Sequence, residues 1–412
     1  MKLKEFIEPT ILSNCDMYGD NLGDKKFDTN DYVYLYDDNA IFRQDINEKF
    51  CYPTDYALLQ GAVCSYKPYG YINERVAYSL LRSHHTMFTV NSIDYLGKVG
   101  VVVLHYNHIV LRPVLNLNCK KVINTKRVDF TKFQIGKQLD ANGKEVFKTV
   151  TFGDFPQTVV DGNLTKRLEE LYKKNCLKNT GKKYVGCYNE KTNDVIYNDE
   201  FEYENERYVR TKIVTRYLDN LGELSNGKPL STLKNEYVWV KVEPLVWRIC
   251  NWKDLPKSIN QYGTGRAEKI ELQSLKGIMA GLFFYPSQEY AKNSSVYNSS
   301  KNEWSETAGS MWQNSMIRAY FNSYDIHKQL EQKNGDAFSV APQNYNFENK
   351  GFIDEAFNQE IEISFDEKDD IVNQNQKSKA EIMRDELIKK ALEKQKQKQQ
   401  SKDTNQDENT LQ

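Results

Sequence analysis

TFGDFPQT, at residues 151–158, is an extended segment with Gly153 and Pro156 inside it. Proline has no N–H to donate to a ladder, and a glycine within a strand often marks a bulge. We therefore expect an edge strand or a bulged strand here. Alternating or β-branched segments before and after it indicate further strands. These are predicted at 128–135, 146–152, 184–188, 201–209, 237–242 and 245–252.

The N-terminal part of the chain adds strands of the same kind, and short helices lie between them. Strands are predicted at 31–36, 78–82, 88–93, 99–105 and 109–117, with Tyr106 and Asn107 at a hairpin tip. Helices are predicted at 56–61, 164–176, 309–320 and 351–357, the second from apolar residues at helical spacing. The pattern predicts an α+β fold with a twisted, mostly antiparallel sheet and short helices.

Composition excludes several classes of protein. The 412 residues carry 56 basic and 57 acidic side chains, so no overall field favours nucleic acid or a membrane surface. The sequence contains no run of about 18 apolar residues, which a spanning helix needs. We expect no signal peptide and a cytoplasmic or virion-associated protein. The seven cysteines are scattered without a C-x-x-C pair, which favours reduced thiols.

The C-terminal tail, residues 366–412, differs in composition from the rest. It is rich in Lys, Gln, Asn and Asp, which favours a disordered, solvated segment without a core. A capping box at Ser378 and Glu381 begins an apolar stripe, so one helix is predicted near 378–394. That helix is either a solitary solvated helix or a short oligomerisation or docking helix.

Two groups of short motifs resemble the two halves of the DUF6273 module of bacterial and phage proteins. One group is PTDYA at 53–57, LLRS at 80–83 and LRPVLNL at 111–117. The other is FGDFPQT, YVWVKVEPLVW at 237–247, WQNSMIRAYFN at 312–322 and GFIDEAF at 351–357. In that family the second group comes first. The resemblance implies a closing half at 1–118, bridging strands at 119–145 and an opening half at 146–365.

The swapped order has two explanations. The chain is either a circularly permuted module or a fragment of a tandem array, and chain ends that lie close together make permutation tolerable. By analogy with similar modules, the resemblance implies a C-type-lectin-like fold. A fold analogy of this kind supports architecture rather than function.

Seven residues of the motifs are expected to build the fold. Each of the three motif arginines needs a partner if it is buried, and Asp55, Asp354 and Glu355 are the candidates. The alternative for the arginines is recognition of an anionic ligand. The seven residues are Arg82, Arg112, Arg318, Trp247, Trp312, Pro156 and Gln157.

The segment 285–309 has the composition of an adaptable binding surface, with large aromatic rings among Ser and Asn. Its candidate ligand-binding residues are Tyr285, Tyr290, Tyr297 and Trp304. The loop at 253–268 is a second candidate display loop. A plain surface loop is the alternative for 285–309.

Chemical sites are sparse in the sequence. His105 and His108 would face each other if Tyr106 and Asn107 form a hairpin tip, but no carboxylate or cysteine stands at ligand spacing, so we predict no metal and no cofactor. We find no catalytic motif. Glu243 is a candidate buried carboxylate with a raised pKa.

The favoured function is a non-enzymatic ligand-binding or recognition module, phage- or cell-associated, with a protein or glycan ligand. One alternative is a structural module that docks or oligomerises through 378–394. Another is an enzyme related to formylglycine-generating folds, although no cysteine pair marks it.

Overall fold

The structure is a computed structural model. It describes residues 2–13, 28–66, 75–86, 89–118, 122–123, 126–128, 135–139, 143, 145–189, 192, 194–213, 223–233, 236–250, 269–284, 297–298, 303–304, 312–325, 346–360 and 365–370.

The described helices are short. They are α1 Asp38–Phe42, α2 Ile46–Lys49, α3 Asp55–Leu59, α4 Gly162–Lys173, α5 Met316–Asn322 and α6 Phe352–Phe357, with 3-10 turns at Leu3–Phe6, Leu230–Leu233 and Trp312–Asn314. None of the helices in the described part of the chain has the length and apolar character that crossing a membrane requires.

Strands make up most of the described structure. They are β1 Ile7–Glu8, β2 Thr10–Leu12, β3 Thr29–Asp31, β4 Val33–Tyr34, β5 Tyr52–Pro53, β6 Cys64–Tyr66, β7 Arg75–Ala77, β8 Ser79–Thr86, β9 Thr89–Ile93, β10 Val99–Val103, β11 Val114–Asn118, β12 Val122–Ile123, β13 Lys126–Val128, β14 Ile135–Leu139, β15 Glu145–Val159, β16 Lys178–Asn189, β17 Asp194–Tyr203, β18 Glu206–Lys212, β19 Tyr237–Ile249, β20 Lys269–Ser274, β21 Lys276–Gly277, β22 Tyr297–Asn298, β23 Glu303–Trp304 and β24 Phe365–Asp370.

The chain divides into two compact units. The first contains residues 1–120 and 130–363, and the second contains residues 121–129 and 364–412. In the second unit, β12, β13 and β24 form a three-stranded antiparallel sheet. The helix predicted near 378–394 lies outside the described residues.

One ten-stranded sheet organises the first unit. Its main path runs β1-β11-β20-β19-β18-β17-β16, with β4 on β11, β15 on β19 and β14 on β15. Strand β11, from the N-terminal third, pairs antiparallel with β20, from the C-terminal half. All pairs of this sheet are antiparallel, whereas β5 and β21 pair in parallel outside it. The fold is mostly antiparallel β-sheet with a few short helices.

The FGDFPQT motif forms the second half of β15, and it is bulged as its sequence predicts. The register with β19 shifts between Thr151 and Asp154 and again between Pro156 and Thr158. Gly153 lies at φ +74°, and a Cβ there would come within 2.4 Å of the Phe357 ring. A side chain at this position would be both strained and obstructed, so the bulge requires glycine.

Aromatic residues from the two motif groups fill the core. Trp247 and Trp312 are fully buried, which confirms the prediction that they are core residues. Each indole N–H is satisfied, by the Phe152 carbonyl at 2.9 Å and by Asp31 Oδ2 at 2.8 Å. Both rings can therefore be buried without leaving an indole N–H unpaired.

Two local predictions are wrong. Residues 201–209 form a hairpin rather than one strand, since Glu204 and Asn205 both take positive φ, of 52° and 63°, between β17 and β18. A two-residue turn with positive φ at both positions matches the twist of its strands. Tyr106 and Asn107 form no hairpin tip, because β10 pairs with β9 and β11 pairs with β1, β4 and β20.

Candidate functional site

The three motif arginines are buried or nearly so, and each has a protein partner. Arg318 Nε donates to Asp31 Oδ1 at 2.8 Å, and Arg82 pairs with Asp37. Arg112 donates to two backbone carbonyls, those of Ser274 at 2.9 Å and Glu48 at 2.7 Å. These contacts give all three a fold-building role.

The partners proposed for these arginines were wrong. Asp55 accepts from the Val159 N–H and from Ser225, and Asp354 pairs with Lys4 at 2.6 Å. Glu355 accepts from the Val185 N–H at 2.6 Å and the Tyr320 hydroxyl at 2.7 Å.

Glu355 is the buried carboxyl that the sequence argument sought at Glu243. Burial raises the pKa of Glu355 from 4.5 to about 8, although its two hydrogen bonds act in the opposite direction. Glu243 is only half-buried, and its backbone carbonyl accepts from the Gln157 side chain at 3.0 Å. On β19, Glu243 pairs with Phe155, between the two register shifts of β15.

Glu355 also borders a cavity of about 810 Å³. Lys182, Lys183, Arg207 and Lys350 lie on the same wall, so this cavity is basic. Arg207 pairs with Asp154, and Lys183 lies 3.2 Å from Asp199, so two of these cations have carboxylate partners.

The predicted aromatic ligand residues lie largely outside the described structure. Tyr285 and Tyr290 are not among the described residues. Tyr297 and Trp304 are opposite each other in the β22–β23 pair, where the structure describes their backbone. Most of the loops at 253–268 and 285–309 is also outside the described residues.

His105 and His108 do not face each other across a hairpin, since the strands that would carry them do not pair. His108 Nδ1 lies 2.9 Å from the Gly61 carbonyl oxygen, a contact that positions the ring. Among the described residues, no group of three or more His, Cys, Asp and Glu side chains is arranged to hold a metal ion.

A polar cavity of about 510 Å³ lies where β4, β19 and β20 meet the helices α1 and α2. We call it the Arg248 cavity. Its defining side chains are Tyr34, Tyr36, Asp37, Arg82, Arg248 and Glu271. Its volume falls within the range of small-molecule sites, roughly 300–1,000 Å³.

One wall of the Arg248 cavity is a connected set of hydrogen bonds. The hydroxyls of Tyr34 and Tyr36 donate to Glu271, at 3.0 and 2.6 Å. Cys250 Sγ lies 3.0 Å from the Tyr36 hydroxyl. Burial raises the pKa of the Cys250 thiol, and it also raises the pKa of both tyrosines, with Glu271 adding to the effect. The wall therefore keeps its thiol and hydroxyl groups protonated.

Arg248, unlike the groups of this wall, is not part of the hydrogen-bonded set of described residues. It lies on β19 between Thr149 of β15 and Gln273 of β20, and it is 2% exposed. Its Nη1 comes no closer than 3.7 Å to Glu48 Oε2, which is an ion pair without a hydrogen bond. Its buried Nε and Nη1 atoms have no hydrogen-bond partner in the described structure.

Sequence reasoning missed this residue. The segment LVWRICNW at 245–252 was predicted to be a strand, and Arg248, the one charged residue within it, was not singled out. An arginine in an otherwise apolar strand is a usable signal, because a buried guanidinium needs partners or a ligand.

No family model matches the chain, and no curated protein and no solved structure matches it either. The site geometry therefore carries the functional argument.

Proposed function

We propose that this protein is a non-enzymatic recognition module that holds a small polar ligand in the Arg248 cavity. The observation that carries the proposal is the buried Arg248 guanidinium on the cavity wall, whose Nε and Nη1 have no acceptor among the described residues. Leaving such donors unpaired is costly, and a bound polar group would satisfy them.

The protonated wall favours binding over chemistry. A thiol acts as a nucleophile only as the thiolate, and burial moves the Cys250 pKa upward, away from that form. The Tyr34 and Tyr36 hydroxyls direct their protons to Glu271, so these three groups form a fixed surface. A fixed polar surface around a guanidinium suits recognition.

Described residues on either side of the segment 251–268 line the cavity. Arg248 and Cys250 lie at the end of β19, and Glu271 lies near the start of β20. We propose that the loop at 253–268 contributes to recognition. The loop at 285–309, with Tyr285, Tyr290, Tyr297 and Trp304, is proposed as the second display loop.

The fold type we propose is C-type-lectin-like, within a module of the DUF6273 type whose halves occur in swapped order. In support, β1, β4 and β11 from residues 1–118 share one sheet with β15 to β20. Pairing of β11 with β20 joins the two groups of motifs within one unit. A permuted single module accounts for this arrangement more simply than a fragment of a tandem array.

The test is saturation-transfer NMR on the full chain with a panel of monosaccharides, amino acids and hydroxy acids. Ala40 lines the cavity, so Ala40→Trp fills it without removing a charged group. Val101 is 48% exposed on β10, so Val101→Trp adds the same bulk elsewhere. We expect a ligand that binds the wild type and Val101→Trp but not Ala40→Trp.

Two outcomes would overturn the proposal. One is a panel without any binding signal, or with binding that Ala40→Trp leaves unchanged. The other is conversion of a panel member to product in the same samples, which would establish an enzyme in place of a recognition module.

A further inference from the structure

Three arginines and four carboxylates line the Arg248 cavity, so it carries no overall excess of positive charge. The feature that favours an anion is local, because the buried Nε and Nη1 of Arg248 have no hydrogen-bond partner in the described structure. The Glu48 carboxylate lies 3.7 Å from Nη1, beyond hydrogen-bond distance. The buried Arg112 adds positive charge beside Arg248 and donates to the backbone carbonyls of Ser274 and Glu48.

The carboxylates on the cavity wall are already engaged. Asp37 pairs with Arg82, and Glu271 accepts from Tyr34 and Tyr36. Glu48 Oε2 accepts from the Asp45 N–H at 3.2 Å, as part of the capping box of α2. None of these three hydrogen-bonds to Arg248 in the described structure, so its buried Nε and Nη1 are available to an anion that enters the cavity.

The same wall also presents an unused acceptor. Gln44 Oε1 is buried without a hydrogen-bond partner in the described structure, and Gln44 lines the cavity. Asp45, at the exposed rim, adds a carboxylate. A ligand that matches this wall carries an anionic acceptor for Arg248 and hydroxyl donors for Gln44 and the rim.

We infer that the ligand is a small hydroxylated carboxylate, of the class to which acidic sugars belong, with its carboxylate against Arg248. This inference rests on the proposed function and gives its ligand class. A carboxylate matches the planar guanidinium and forms charge-assisted hydrogen bonds of about twice the usual strength. The sugar hydroxyls both donate and accept, which suits the mixed wall.

The decisive comparison needs no variant. D-glucuronate and D-glucuronamide have the same shape and hydroxyl groups, but the amide has no charge. In titrations of the full chain followed by NMR or calorimetry, we expect glucuronate to bind at least about tenfold more tightly than glucuronamide.

A pair of variants then assigns the preference to one residue. Arg248→Gln removes the buried guanidinium, and Arg43→Gln removes an exposed guanidinium from the rim of the same cavity. We expect Arg248→Gln to abolish the preference for glucuronate over glucuronamide. Arg43→Gln should preserve it, which would show that overall charge is not the cause.

The failures of the two proposals are distinguishable. Equal binding of the two probes, or a preference that survives Arg248→Gln, overturns the inference about ligand class and leaves a recognition module. The inference about ligand class is also overturned if neither probe binds while another panel compound binds the wild type but not Ala40→Trp. Loss of every cavity-dependent ligand in the panel overturns the recognition module itself.

Discussion

Helix α5 and strand β19 each bury an arginine, and the two side chains have opposite surroundings. Arg318, on α5, hydrogen-bonds to a fully buried Asp31, which also accepts from Trp312 and Thr29. Arg248, on β19, has an ion pair at 3.7 Å, and its buried Nε and Nη1 have no hydrogen-bond partner within the described residues. A buried charge that is fully hydrogen-bonded specifies the fold, whereas one that is incompletely hydrogen-bonded remains available to a ligand.

The largest expected effect is at the satisfied arginine. Arg318→Ala would leave Asp31 buried without its cation, so we expect the free energy of unfolding to fall by about 3 kcal/mol. Chemical denaturation followed by tryptophan fluorescence measures it. A stable Arg318→Ala variant would break the comparison and return Arg318 to the candidate binding residues.

Glu355 extends the comparison to a buried acid whose hydrogen-bond donors, the Val185 N–H and the Tyr320 hydroxyl, are uncharged. Its pKa is raised from 4.5 to about 8, so the folded state retains a proton that the unfolded chain loses between those values. The stability contributed by the neutral form is present below about pH 4.5 and is lost as pH rises towards 8.

We therefore expect the wild type to lose stability from this group between pH 5 and pH 7, by about 2 kcal/mol. Glu355→Gln should lack this loss, because an amide does not ionise. Unfolding free energies of both proteins at the two pH values give the difference. Parallel pH profiles would show that the carboxyl ionises at an ordinary pH in the fold.

Arg248→Gln tests the other side of the comparison. Arg248→Gln removes a buried cation whose Nε and Nη1 have no partner among the described residues, which relieves a desolvation penalty, so we expect stability to stay within about 1 kcal/mol of the wild type or to rise. Thermal unfolding at constant pH measures it. A loss as large as that of Arg318→Ala would give Arg248 a structural role after all.

The smallest change in stability is expected at an exposed ion pair, which serves as the reference for the buried groups. Lys241 and Glu206 lie 2.5 Å apart, with side chains 37% and 47% exposed. Water and salt screen such a pair, so Lys241→Ala should change stability by no more than about 0.5 kcal/mol. A clearly larger loss would mean that close contacts in this protein cannot be ranked by burial.

Local features of the fold were predictable from sequence because their causes are local. The bulge in β15 follows from Gly153 and Pro156, and α4 follows from the apolar spacing that places Leu168 inward. The buried tryptophans follow from their apolar neighbours. The hairpin at Glu204 and Asn205 was missed because glutamate rarely takes a positive φ, although asparagine often does.

The partners of the charged residues were not predictable from local pattern. Arg318 and Asp31 are 287 positions apart in sequence, and they meet because α5 packs against β4. Such pairs depend on the order of strands in the sheet, which periodicity does not give. For the same reason the cavity was not predicted, since its wall combines β4, β19, β20, α1 and α2.

The position of β19 has a consequence for the kinetics of the molecule. This strand pairs with β15 along one side and with β18 and β20 along the other. Its amide hydrogens should be among the slowest to exchange with solvent, because their release requires the sheet itself to open. The backbone of Arg248 is thus fixed before a ligand binds. The conformational freedom lost on binding would belong almost entirely to the ligand.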